Sequence, residues 1–91
     1  MISHTTDRFR KTFAELPPEI QKQARQAYKL FLKNPHHPSL RFKSIHATRP
    51  IFSVRIGLNY RAVGIRDEDD MVWYWVGSHA EYDKLIQQFK K

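Results

Sequence analysis

The residue of this chain best suited to proton transfer is His79, because an imidazole can take up or release a proton near neutral pH. It lies within residues 78–81, where a serine and a glutamate three positions apart predict the capped start of a helix. Asp83 follows four residues after His79, so its carboxylate could hold the imidazole proton from the next helical turn. His79 could instead be a structural histidine that caps the turn or bonds to the backbone.

Arg55 and Arg61 supply a complementary chemistry, since guanidinium groups bind phosphate oxygens and stabilise negative charge that develops on phosphorus. They lie on two consecutive segments that alternate like β-strands, and the alternation can direct at least Arg55 away from the helices. Either arginine could also be structural, paired with Glu81, Asp83 or the acidic turn 67–70.

These arginines belong to a strongly basic segment. The chain carries a formal net charge of +7, and between Arg41 and Arg66 it has no acidic residue. The basic residues of this segment are Arg41, Lys43, Arg49, Arg55, Arg61 and Arg66. An uncompensated basic segment favours polyanionic partners, nucleic acid above all, because neutralising phosphates releases condensed counterions. A solvated surface that keeps the protein soluble is the alternative interpretation.

Length and composition limit the remaining possibilities. A chain of 91 residues predicts a single domain over residues 1–91. It contains no cysteine, so neither a disulfide nor a thiolate metal site is available, and we expect no metal and no cofactor. No apolar run is long enough to span a bilayer, and the first residues do not resemble a signal peptide. We therefore expect a soluble cytoplasmic protein with no membrane partner.

Two amphipathic helices are predicted in the first third of the chain. Residues 7–16 place Phe9, Phe13 and Leu16 on one side, and Thr5 or Thr6 can cap the helix. Two consecutive prolines, 17–18, end this helix and begin a second one, which runs to residue 34 before the next proline. Together they predict an αα-hairpin.

The hydrophobic period then changes to that of β-strands. Strands are predicted at residues 40–46, 51–56, 60–66 and 71–77. Short joins between the later strands predict antiparallel pairing, and the last strand is apolar on both faces, as expected of a central strand. A short strand at residues 2–4 can also join the sheet.

These elements predict an α+β fold. The αα-hairpin would pack on one face of a four-stranded antiparallel sheet, and a short helix would follow from residue 78 with Tyr82, Leu85, Ile86 and Phe89 along one side. The opposite face of the sheet would be left free to carry Arg55 and its neighbours.

The whole pattern resembles the RelE/ParE superfamily of bacterial type II toxin–antitoxin modules. The resemblance rests on the order and spacing of five fragments, which are NPHHPSL, FKSI, SVRI, NYRAVGI and WYWVGSHAEYDKL. It implies a compact toxin with an acidic antitoxin protein wrapped around its basic groove, and contact with operator DNA only through the antitoxin complex.

The resemblance leaves three functions open. RelE- and YafQ-type members are ribosome-dependent mRNA endonucleases that use the 2′-OH of the RNA as nucleophile without a metal, whereas ParE-type members inhibit DNA gyrase without chemistry of their own. A third possibility is a non-toxic member that only binds nucleic acid or its antitoxin. YafQ-type toxins use a C-terminal histidine, which corresponds to His79, and RelE-type toxins clamp phosphate with an arginine, which corresponds to Arg55 or Arg61. We favour the mRNA endonuclease.

Further residues are candidates by the same resemblance. Lys43 and His46 lie on the first predicted strand, where the superfamily places groups that help to activate the 2′-OH. Tyr82 could stack on a base or donate a proton, although its helical spacing is more typical of a core residue. Arg41 and Arg66 complete the predicted RNA-binding set.

Overall fold

The structure is a computed structural model and describes residues 2–89. Its elements in chain order are β1 (Ile2–Thr5), α1 (Asp7–Ala14), α2 (Pro18–Lys33), a 3₁₀ turn (Pro38–Leu40), β2 (Lys43–Ser44), β3 (Ile51–Ile56), β4 (Tyr60–Asp67), β5 (Asp70–Ser78) and α3 (His79–Phe89). The α+β class expected from the sequence is confirmed.

The helices begin where their capping residues indicate. The Thr6 side chain accepts a hydrogen bond from the Phe9 N–H at 3.1 Å and so caps α1. At the end of α1, the Gln21 side chain donates to the carbonyls of Phe13 and Leu16, and the Leu16 N–H also donates to the Phe13 carbonyl. The αα-hairpin is therefore held together at its corner by side-chain as well as backbone bonds.

The sheet has five strands rather than the predicted four, in the order β1-β5-β4-β3-β2. The segment at residues 2–4 does join the sheet, and it pairs with β5 in the parallel sense, whereas all other pairs are antiparallel. Of the predicted strand at residues 40–46, only Lys43–Ser44 is a strand in the structure. Leu40 ends the 3₁₀ turn and Arg41 adopts a left-handed backbone with φ 45°, which is incompatible with a continuous strand.

Helices α1 and α2 cover one face of the sheet. The buried residues of this main core are Leu16, Ala24, Phe31, Leu40, Val54, Ile56, Ala62, Met71, Trp73 and Val76. Phe31 lies at its centre, with its ring edge-on to Phe42 and to Trp73 at centroid distances of 5.2 and 5.3 Å. Aromatic rings thus contact one another at the centre of the main core.

The opposite face is covered by α3, so the expectation that it would be left free is wrong. Tyr82 and Leu85 of α3 form a second core with Ile51, Val63 and Trp75 of the sheet. The physical reason is that these strands are apolar on both faces, and a sheet of this kind must be covered on both sides. We call this side of the sheet the α3 face.

Within residues 2–89, no helix is both long and apolar enough to cross a membrane. The same residues contain no group of three or more histidine, aspartate or glutamate side chains that could together hold a metal ion.

Candidate functional site

Strand register brings several of the predicted residues to the α3 face. Arg55 of β3 lies directly opposite Arg61 of β4, and Lys43 of β2 lies directly opposite Ser53 of β3. Directly opposite residues of antiparallel strands share a face, and alternation places Ser53 and Arg55 on the same side. Three cationic residues from three strands therefore lie around one serine on the face that α3 covers.

Arg61 is the most unusual residue of this group, because only 7% of its surface is exposed. Its Nη1 donates to Ser53 Oγ at 3.3 Å, and its guanidinium carbon lies 5.1 Å from the centre of the Tyr82 ring. Among the ion pairs of residues 2–89, none involves Arg61. A buried charge without a counter-ion is costly, so this guanidinium is better suited to holding an anion than to stabilising the fold.

Ser53 connects Arg61 to Tyr82. Its side chain is completely buried, and its Oγ lies 3.3 Å from the Tyr82 hydroxyl as well as from Arg61. Sequence reasoning missed this residue. The available signal was a single hydroxyl within the otherwise apolar inner positions of the strand IFSVRI, where an unpartnered polar group would be unfavourable.

Tyr82 is a core residue that also contacts Arg61, and its predicted role in stacking on a base or donating a proton stays a prediction. It is 97% buried within the second core, as helical spacing indicated. The same ring covers the guanidinium of Arg61 by a cation–π contact. The Tyr82 ring therefore covers one side of the Arg61 guanidinium.

His79 lies at the first position of α3, and 51% of its side chain is exposed. Its Nδ1 is 3.3 Å from a carboxylate oxygen of Asp83, as the four-residue spacing indicated. Its ring is edge-on to Tyr82 at a centroid distance of 5.7 Å. When Nδ1–H donates to the carboxylate, Nε2 is the nitrogen that remains available to another partner.

The start of α3 is firmly fixed, which holds His79 in place. The predicted capping box is confirmed, because Ser78 Oγ accepts from the Glu81 N–H at 3.2 Å and Glu81 accepts from the Ser78 N–H at 3.1 Å. In addition, the His79 N–H donates to the Asn59 carbonyl at 2.6 Å. This bond ties the catalytic candidate to the turn between β3 and β4.

Other predicted residues lie apart from this group. Nδ1 of His46 accepts the N–H groups of Thr48 and Arg49 at 3.1 and 3.0 Å, so this nitrogen stabilises the loop after β2. Arg66 lies on the side of α1 and α2, over the Phe52 ring at 5.9 Å. Arg41 is exposed at the end of the 3₁₀ turn. The structure does not bring these three side chains together with Arg61.

Tyr74, which lies outside this group, has a shifted pKa. Burial raises the pKa of Tyr74, while the nearby positive charge of Arg8 partly opposes the shift. Tyr74 occupies the register irregularity of β5, where Trp73 and Trp75 pair with Gly64 and Val63 and leave it without a partner on β4.

Comparison with known families identifies the class of protein. The ParE-like toxin domain family matches residues 18–84 of the chain, which span α2, the sheet from β2 to β5 and most of α3. The chain belongs to this family, and thereby to the RelE/ParE toxin superfamily that its sequence resembles. No curated protein is significantly similar to the chain in sequence.

Solved structures share the fold at low sequence identity. The RelB–RelE antitoxin–toxin complex from Methanococcus jannaschii matches with a TM-score of 0.73 and 17% identity, covering 90% of this chain and 96% of that one. YafQ from E. coli strain BL21(DE3) matches with a TM-score of 0.71 and 8% identity over 88% and 94% of the two chains. The RelBE2 toxin–antitoxin complex from Mycobacterium tuberculosis matches with a TM-score of 0.68 and 22% identity over 85% and 95%.

Proposed function

We propose that this toxin-family protein is a metal-independent endoribonuclease that cleaves mRNA on the ribosome. The observation that carries the proposal is Arg61, a buried guanidinium without a carboxylate partner among residues 2–89, on the same face as His79. An anionic group is the natural missing partner of such a cation, and phosphate suits its planar set of donors.

The reaction needs few groups. The 2′-oxygen of the RNA attacks the adjacent phosphorus and its proton passes to water, the bond to the 5′-oxygen breaks, and a 2′,3′-cyclic phosphate and a 5′-hydroxyl result. Arg61 and Arg55 stabilise the extra negative charge on phosphorus. His79, whose Nδ1 faces the Asp83 carboxylate, donates a proton to the leaving 5′-oxygen. Lys43, on the same face, increases the acidity of the 2′-OH.

Substrate binding requires a local movement. The Tyr82 ring occupies the place over Arg61 that a phosphate would take. Tyr82 and Leu85, with the half-buried Ile86, pack on the sheet, and His79 is bonded to the Asn59 carbonyl, so the Tyr82 side chain would move while His79 stays in place. Part of the binding energy of the RNA would be used to open this contact.

The role of the ribosome follows from the chemistry. His79 and Arg61 line neither the cavity of about 610 Å³ nor that of about 420 Å³, whereas Arg55 lines the first. A flexible RNA strand must be aligned for in-line attack before these few groups can act on it. The ribosome would supply that alignment, and the protein would therefore act in the cytoplasm.

Expression of the protein in growing cells tests the proposal. We expect growth arrest together with new RNA 5′ ends inside coding regions, and we expect His79→Ala to abolish both. Gln88→Ala is the matched control, because Gln88 is an exposed residue of α3 that touches neither Arg61 nor His79. Full toxicity of His79→Ala with intact messages would refute the catalytic assignment.

Inhibition of DNA gyrase is the second candidate function, and the match to the ParE-like toxin domain favours it. In that case the cationic α3 face would bind a protein surface and perform no chemistry. Growth arrest would then be accompanied by a DNA-damage response and unchanged message length.

An acidic antitoxin is the proposed protein partner, since two of the similar structures are antitoxin–toxin complexes. The apolar cleft of about 420 Å³ between α1, α2 and the sheet offers a docking place. Its floor contains Phe31 and Trp73, and its rim carries Arg10, Arg25 and Lys29. An amphipathic segment with apolar residues on one side and acidic residues on the other fits both features. Operator DNA would be contacted only through this complex.

A further inference from the structure

A cavity distinct from the proposed antitoxin cleft lies beside the proposed reaction site, at the edge of the sheet. It has a volume of about 610 Å³ and is bounded by α2, the 3₁₀ turn and the turn between β3 and β4. This volume is within the range of roughly 300–1,000 Å³ typical of small-molecule sites. Arg55 lines the cavity and is also the cross-strand neighbour of Arg61, so it belongs to both sites.

The turn between β3 and β4 connects the cavity to His79. Arg55 Nε donates to the Gly57 carbonyl at 2.8 Å, which holds the arginine against the turn. Asn59 lines the cavity, and its backbone carbonyl accepts the bond from the His79 N–H at 2.6 Å. A nucleotide in the cavity would therefore lie next to a phosphate held between Arg55, Arg61 and His79.

The lining matches the chemistry of a nucleobase. Gln23, Gln26 and Asn59 contribute carboxamides, each of which offers both a hydrogen-bond donor and an acceptor, as the edge of a base requires. Tyr60 adds an aromatic ring and Leu58 an apolar side chain. None of the lining residues is acidic, so a phosphate-bearing ligand meets no repulsion.

The position of Gln23 depends on a glycine. Gly57 has a left-handed backbone with φ 58°, and a Cβ added there would collide with the side-chain oxygen of Gln23. Gln26 lies three residues further along α2 and faces the same cavity. Two carboxamides are thus presented side by side toward the turn.

We propose that this cavity binds one unstacked nucleobase of the RNA strand whose neighbouring phosphate lies at Arg55 and Arg61, and that it gives the enzyme a base preference beside the cleaved bond. The inference rests on the proposed function and adds selectivity to it. The polar lining and the direct connection to His79 favour RNA over a peptide segment of the antitoxin.

Titration followed by NMR tests the cavity without any need for cleavage. The probes are the four nucleoside 5′-monophosphates, with ribose 5-phosphate as the ligand that lacks a base, and the protein is the His79→Ala variant, which we expect to lack toxicity. We expect at least one nucleotide to shift the amide signals of residues 57–60 and of the middle of α2, with affinity above that of ribose 5-phosphate. Adding Gln26→Ala should weaken that binding by about three- to tenfold, the effect of one hydrogen bond, whereas adding the control Gln88→Ala should leave it unchanged.

Three results would overturn the proposal. Equal affinity for the nucleotides and ribose 5-phosphate would show that only phosphate is recognised. Signal changes confined to other surfaces would place the base elsewhere. An acidic antitoxin peptide that shifts residues 57–60 when no nucleotide does so would assign the cavity to the partner protein.

Mapping of cleavage sites separates this proposal from the proposed function. The Gln23→Ala/Gln26→Ala variant should cut messages with a nucleotide preference next to the cut that is at least threefold weaker than that of the Gln88→Ala control. An unchanged preference would refute the base subsite and leave the nuclease intact. If the wild-type protein cut no RNA but the cavity still bound nucleotides in a base-dependent way, the proposed nuclease activity would be refuted and the base-binding site would be retained.

Discussion

Replacement of Arg61 by methionine should make the protein more stable and, if the proposed chemistry is correct, inactive. The side chain of Arg61 is 93% buried and makes one hydrogen bond, to Ser53, and one cation–π contact, to Tyr82, within residues 2–89. A methionine has a similar length, carries no charge and adapts its shape to the space available.

The magnitude follows from the balance of these contacts. The substitution removes a cation–π contact worth up to about 2 kcal/mol and a hydrogen bond from a charged donor worth about 1.5–3 kcal/mol. It also removes the desolvation penalty of a buried cation, several kcal/mol by the usual estimates, while the apolar burial of methionine replaces that of the aliphatic stem of the arginine. We expect a net gain of about 1–3 kcal/mol in the free energy of unfolding, which in a domain of this size raises Tm by about 4–8 °C per kcal/mol.

The assay compares urea unfolding of His79→Ala with that of His79→Ala/Arg61→Met, so that neither protein is toxic to the cells that produce it. Arg49→Met in the same background is the control, because Arg49 is exposed and its loss should change the free energy by less than about 0.5 kcal/mol. If Arg61→Met lowers the free energy of unfolding by 1 kcal/mol or more, the arginine stabilises the fold, and the inference that its charge is kept for a ligand is wrong.

Three further results are expected. Glu81→Ala removes half of the capping box and should destabilise α3 by about 0.5–1 kcal/mol, measured as faster amide exchange confined to that helix; unchanged exchange would contradict the capping interaction. Burial raises the pKa of Tyr74 in the folded state, so the unfolded state loses this proton first as the pH rises. The contribution of protonated Tyr74 to the free energy of unfolding should be complete below about pH 10 and should fall as the pH rises above that value. Alkaline unfolding of Tyr74→Phe should begin at higher pH than that of the wild type, and identical curves would contradict the shift. Tyr28→Glu places a negative charge in the cleft between α1 and α2, so it should weaken binding of an acidic antitoxin at least tenfold, measured by calorimetry. Leu32→Glu is the control, because Leu32 is exposed on the same helix outside the cleft and its replacement should leave the affinity unchanged. Equal effects of the two substitutions would place the antitoxin elsewhere.

The parts of the fold that could be predicted depend on neighbouring residues. The cap at Thr6 and the capping box from Ser78 are bonds between residues three apart, so their sequence patterns are sufficient. The turn at residues 57–59 likewise determines which residues of β3 and β4 are opposite, and so brings Arg55 beside Arg61.

What could not be predicted depends on distant contacts. The pairing of β1 with β5 joins residues about 70 positions apart, and a four-residue segment carries no signal for its direction. The last strand could be seen to be apolar on both faces, but the pattern does not show which segment covers the second face, and so it did not place α3 over Arg61. Ser53 could not be predicted as a site residue, because its role depends on its contacts with Arg61 and Tyr82, which are distant in the sequence.

The central claim is tested most directly by a cleavage reaction with purified ribosomes carrying a defined mRNA. With wild-type protein we expect a cut within the codon held at the ribosomal A site, a 2′,3′-cyclic phosphate on the upstream fragment, and no cut when ribosomes are omitted. Arg61→Met and His79→Ala should each reduce the rate at least a hundredfold, as expected for loss of a charge-stabilising or proton-transferring group. The account would be contradicted if the wild-type protein left the mRNA intact in this reaction although its expression arrests the growth of cells.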